Sequence, residues 1–109
     1  MPQLFENTSI KSMALSNRFV RSATWEGMAA DDGACTSQLI ETMVELAKGG
    51  VGMIVTGHSF VSPEGQAGPW QMGVYDDRLL NGLTQMTNGV HEFESKIVMQ
   101  LAHAGAHAN

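Results

Sequence analysis

The stretch Lys96-Ile97-Val98-Met99-Gln100-Leu101-Ala102-His103-Ala104-Gly105 decides the architecture, because an apolar run gives way to small and polar residues at a defined point. A short continuous apolar run suits a strand covered on both faces, as in a parallel sheet. Its polar end suits the rim of a site. Upstream, Val51-Gly52-Met53-Ile54-Val55-Thr56 is a second run of this kind, placed directly behind Gly49-Gly50. Arg18-Phe19-Val20-Arg21-Ser22-Ala23-Thr24 reads as a third strand, weakened by its two arginines.

Between these runs lie two helical patterns. Leu39, Ile40, Met43, Val44, Leu46 and Ala47 recur at helical spacing, with Thr36 or Ser37 as N-cap and Gly49-Gly50 as terminator. Leu79, Leu83, Met86, Val90 and Phe93 fall on one face of a second helix that Asp76 or Asp77 can cap. Gly82 and Gly89 each weaken that helix by up to about 1 kcal/mol relative to alanine, so packing must compensate. Strand starts at Arg18, Val51 and Lys96 are 33 and 45 residues apart, which fits βαβ crossover units. Leu4 to Val20 predicts a small hairpin turning near Lys11-Ser12, and Asp31-Asp32-Gly33 and Ser62 to Trp70 read as loops. No internal repeat or low-complexity tract is visible.

Composition narrows the class. The 109 residues are 43% apolar, enough for one ordinary core, and 6 basic against 11 acidic residues give a net charge of -5. That balance disfavours a phosphate-backbone binder, so no nucleic-acid partner is expected. Cys35 is the single cysteine, which excludes an intrachain disulfide and favours a reducing, cytoplasmic setting. The N-terminus lacks a basic segment followed by an apolar one, and no uncharged apolar run of about 18 residues occurs, so secretion and membrane spanning are both disfavoured.

In parallel α/β folds ligands bind at the carboxyl ends of strands. Three such ends can be inspected: Ser22-Ala23-Thr24-Trp25-Glu26, Thr56-Gly57-His58-Ser59 and Gln100-Leu101-Ala102-His103. Each turns from apolar to small or polar residues, although a solvated loop start explains any one of them alone. His58 reads more naturally as a surface or capped histidine than as a base, and Glu26 as a loop carboxylate rather than a general acid. His103 and His107 share the spacing of some metal pairs, but no third ligand is nearby. Neither a GxGxxG fingerprint nor a Walker loop is present, which removes the usual dinucleotide and phosphate-loop readings. Cys35 precedes a helix, where the dipole can lower a thiol pKa, yet an inert thiol is the simpler reading. Trp25 and Trp70 fall in loops on the same side and suit either a pocket wall or loop packing.

Taken in order, Leu4-Phe5, Leu15-Ser16-Asn17-Arg18-Phe19-Val20, Gly50-Val51-Gly52-Met53-Ile54-Val55, Ser62-Pro63-Glu64-Gly65 and the Lys96 to Gly105 segment resemble the Old Yellow Enzyme, or NADH:flavin oxidoreductase, family over essentially the whole chain. The resemblance implies the N-terminal portion of a (β/α)8 TIM barrel: a short hairpin, then three parallel strands and two crossover helices, all within residues 1–109 as part of one FMN-binding domain. It implies FMN as cofactor and NAD(P)H as reductant, with hydride passing through FMN to an activated alkene or related small-molecule acceptor. Carried over by position, Ser22, Ala23, Thr24 and Trp25 match the first-strand segment along the flavin. His58 matches the second-strand contact, with Gly57 the choice if the register slips by one, and Gln100 matches the glutamine that hydrogen-bonds the flavin edge. A side-chain amide suits that edge because it both donates and accepts.

Departures from the family pattern are visible. Ala23, Thr24 and Trp25 stand where relatives often have proline, a second residue, and threonine or cysteine. Gly27 stands where some relatives place a tyrosine that contacts substrate. Later-strand elements that the resemblance implies, including the substrate-binding His/His or His/Asn pair, the proton-donating tyrosine and the phosphate-gripping arginine, have no counterpart here, and a barrel of this kind needs about 250 residues. Two other readings follow: a non-catalytic barrel fragment needing a partner chain, the missing strands or self-association, and a flavin-free TIM-barrel enzyme.

Overall fold

The computed structural model describes residues 3–108. A hairpin of β1 (Thr8–Ile10) and β2 (Met13–Leu15) comes first, antiparallel, with Ser9 opposite Ala14. Its turn is at the expected place, with Lys11 in the left-handed region at φ 52°. A second sheet has the order β3 (Val20–Arg21), β4 (Met53–Phe60), β5 (Lys96–Ala102), every pair parallel. Helix α1 (Ser37–Lys48) connects β3 to β4, and α2 (Leu80–His91) connects β4 to β5. Three parallel strands joined by two crossover helices follow the order that the sequence predicts, and they suit the partial (β/α)8 barrel that the resemblance implies.

Helix α1 forms for the reasons its sequence offers. Thr36 Oγ1 accepts the Leu39 N–H at 3.1 Å, and Leu39, Met43 and Ala47, four residues apart, are its buried stripe. That stripe meets Ile54 of β4 and Met86 and Val90 of α2, with Ile97 and Met99 of β5 packed against the same cluster. Each fully buried side chain of this size contributes about 1.5–3 kcal/mol. The glycines of α2 have a packing reason, since a Cβ at Gly89 would lie 2.7 Å from Val44 Cγ2 and one at Gly82 would lie 3.0 Å from Cys35 Cβ. Gly89 lets α2 approach α1, and Gly82 lets it approach Cys35 just ahead of α1.

Three boundaries differ from the sequence reading. The first strand is only Val20–Arg21, because its pairing with β4 stops at Ile54 and Ser22 to Trp25 run on, exposed, beyond it. The second strand begins at Met53 and continues past Thr56 to Phe60. It is held there by pairing with β5 and by a bridge in which Phe60 N donates to Met72 O and Val74 N donates to Phe60 O. Phe93 lies outside α2 and is 38% exposed, because the helix closes at His91 and Glu94 turns the chain at φ 61°. Asp76 caps a short 3-10 turn, Asp77–Leu79, that leads into α2, and Leu79 is buried within that turn.

Candidate active site

Ile97 and Met99 pack on the helices, so strand alternation turns Val98 and Gln100 to the opposite face of the sheet. Pairing fixes what stands beside them. Ile54 lies opposite Ile97 and Val55 opposite Val98, but His58, not Gly57, lies opposite Gln100. Thr56 and Gly57 together face the single residue Met99, which is a β-bulge. A bulge of one extra residue returns the following side chain to the face of the preceding one. His58 is thereby brought onto the face of Val55 and Gln100.

The bulge is held by a side chain. Thr56, fully buried, accepts the Gln100 backbone N–H through Oγ1 at 3.2 Å and donates to Gly57 O at 2.9 Å. The Gln100 side-chain amide is exposed, and among the described residues no hydrogen bond occupies it. The Trp25 indole meets the His58 imidazole edge-on, with ring centroids 5.6 Å apart and planes at 77°. Trp25, His58 and Gln100, drawn from three segments of the sequence, are thus brought together, with His58 between the other two toward the carboxyl ends of the strands. Ser22, Ala23 and Thr24 lead up to Trp25 as an exposed strap in which Thr24 Oγ1 donates to Ser22 O at 3.0 Å.

Beneath the strap lies a residue that sequence reading placed in a loop. The Glu26 side chain is 7% exposed, pairs with Arg21 at 2.9 Å and accepts the Gly57 N–H at 3.0 Å. Its Gly57 partner is 31 residues away, so no local pattern could have shown the contact. His103 turns elsewhere: a Cβ on Gly65 would lie 2.5 Å from its Cδ2, and its Nδ1 accepts the Gly105 N–H at 2.9 Å. Among the described residues no group of three potential metal ligands assembles. Burial pushes the Cys35 thiol up to about 11, so the helix start does not activate it. Trp70 sits on the neighbouring loop at φ 65°, its carbonyl accepting the Ala29 N–H at 3.0 Å.

The NADH:flavin oxidoreductase / NADH oxidase family model matches residues 3–109. The chain belongs to that family. It is 33% identical over 105 residues to an NADH oxidase of Thermoanaerobacter brockii, covering 95% of this chain and 16% of that protein. It is 36% identical over 107 residues to an NADPH dehydrogenase of Bacillus subtilis, covering 97% of this chain and 32% of that one. A solved structure of a variant of NCR from Zymomonas mobilis superposes with a TM-score of 0.87 at 26% identity, over 94% of this chain and 33% of that chain. NCR is an Old Yellow Enzyme homologue, and the match places the chain within the TIM-barrel fold of these flavin oxidoreductases. The chain therefore spans a third or less of the length of these relatives. Among the described residues no helix is long and apolar enough to cross a membrane.

Proposed function

We propose that residues 1–109 form the N-terminal part of one FMN-binding barrel domain, and that the strap, His58 and Gln100 are its flavin contacts. The observation that carries this reading is the juxtaposition of the exposed, unoccupied Gln100 amide with His58 and Trp25 at the carboxyl ends of the parallel strands. The donor set fits the group. A flavin edge presents both donors and acceptors, which the Gln100 amide and the Ser22 and Thr24 hydroxyls can match, while the small Ala23 permits close approach of backbone to ring.

When bound, FMN would supply the hydride chemistry, taking hydride from NAD(P)H and passing it to an activated alkene or related small acceptor. This chain's residues would bind and orient it. Gln100 would hydrogen-bond the flavin edge, and Thr56 would fix the backbone from which Gln100 projects. The Trp25 indole takes the place of a hydroxyl or thiol, so the acceptor pocket is walled by an aromatic surface there. Residues from the remaining strands would complete the site, and the chain by itself would then be a binding-competent but non-catalytic segment.

The test is reconstitution. The chain would be mixed with FMN, alone and together with the remaining length of the Bacillus subtilis relative, and its visible absorption recorded after removal of free flavin. Retained flavin with a perturbed spectrum in either sample supports the reading. A colourless protein in both refutes it and leaves the flavin-free barrel.

A further inference from the structure

We infer that Glu26 is a positioning residue for the flavin site: with Arg21 it clamps the Ser22–Trp25 strap onto Gly57 and so sets where the strap stands. This deepens the function proposed above and rests on it.

Four observations carry the inference. The Glu26 side chain is nine-tenths buried, at 7% exposure, where a charge is retained only if paired and hydrogen-bonded. Both requirements are met by groups that span the site. Arg21 Nη1 donates to Glu26 Oε2 at 2.9 Å and to Val55 O at 3.1 Å, which ties the end of β3 to β4 just before the bulge. The same Oε2 accepts the Gly57 N–H at 3.0 Å, within the bulge itself. Finally, the strap lies directly on Gly57, since a Cβ there would be 2.6 Å from Glu26 Oε1 and 2.6 Å from Thr24 O.

The strap is thus a four-residue span between two anchored residues, Arg21 and Glu26, pressed against a position where only glycine leaves room. Trp25, next to Glu26, is held where its ring meets His58. Gly57 and His58 then have different duties. Gly57 supplies an amide and an absent side chain to the clamp, while His58 supplies the ring that faces outward. Pairing with Arg21 also leaves the clamp neutral overall.

The experiment compares Glu26→Ala, Glu26→Asp and Glu26→Gln with the parent in the reconstituted protein, using two readouts: the FMN dissociation constant by fluorescence quenching, and hydrogen exchange at the Gly57 amide. Glu26→Ala removes the acceptor, and the expected result is a rise of about tenfold in both dissociation constant and Gly57 exchange. Glu26→Gln keeps an oxygen for Gly57 and is expected to hold Gly57 exchange within about threefold of the parent. Should Glu26→Ala lose its cooperative melting transition, Glu26→Asp decides. It keeps the charge for Arg21 but falls one methylene short of Gly57, and is expected to speed Gly57 exchange and weaken FMN. Parent-like Gly57 exchange or parent-like FMN affinity in Glu26→Ala, or in Glu26→Asp if that variant is the one that folds, would overturn the inference. A parent that holds no flavin overturns the proposed function instead, and Gly57 exchange then decides the clamp by itself.

Discussion

Gln100 and Cys35 show how much a single side chain can be asked to reveal. Replacing Gln100 with leucine removes the exposed amide but leaves the backbone N–H that Thr56 accepts, so the sheet is untouched. The expected outcome is a loss of about 1–2 kcal/mol in FMN binding, read by fluorescence titration with thermal melting as the control for folding. Unchanged affinity and unchanged flavin potential would remove Gln100 from the site. Cys35 predicts a pH effect of definite sign. Its folded pKa lies at about 11 against an ordinary value of 9.0, through burial, so between those values the unfolded chain has lost the thiol proton while the folded chain keeps it. Fewer protons bound in the unfolded state means that stability falls as pH rises through that window. Cys35→Ser should flatten this part of the stability profile measured by urea denaturation at stepped alkaline pH, and at neutral pH the parent thiol should react slowly with alkylating reagents.

At the scale of elements, α1 and the bulge of β4 are the two informative cases. Helix α1 was legible because its signals are local: the Thr36 cap, the stripe of Leu39, Met43 and Ala47, and the glycines behind Lys48 all lie within one segment. Thr36→Ala should cost about 1–2 kcal/mol by chemical denaturation, because the same hydroxyl caps Leu39 and donates to Met28 O. The bulge was not legible. Alternation along β4 places Gly57 on the face of Val55, and only the shift from Val55↔Val98 to His58↔Gln100 brings His58 to that face. Thr56→Val keeps the shape and removes the hydroxyl, leaving the Gln100 backbone N–H without its acceptor. The expected cost is about 1–3 kcal/mol, and a stability equal to the parent would show that the bulge does not depend on Thr56.

For the whole molecule, the decisive quantity is the apolar surface on β5. Val98 is 39% exposed and Leu101 65% exposed, on opposite faces of a strand that, among the described residues, is paired on one side only. An unpaired edge with apolar residues on both faces favours association. The chain is expected to sediment as a concentration-dependent mixture, with Leu101→Lys shifting it toward monomer. A parent that stays monomeric at every concentration would contradict this. The sequence by itself determined the βαβ order, the hairpin at Lys11 and the start and stop of α1, because periodicity, capping and turn chemistry act between residues close in the chain, and its motifs in order carried the resemblance to the family. It also placed the three strand ends on one side of the sheet. Only the tertiary structure decided that Val20–Arg21 is the whole of β3, that β4 runs to Phe60, and that His58 stands beside Gln100. It also decided that Glu26, in the loop where the sequence reading put it, turns its side chain inward to pair with Arg21 and accept the Gly57 N–H. Those outcomes depend on pairing register and on contacts such as Glu26 with Gly57, between residues far apart in sequence whose meeting no local pattern records.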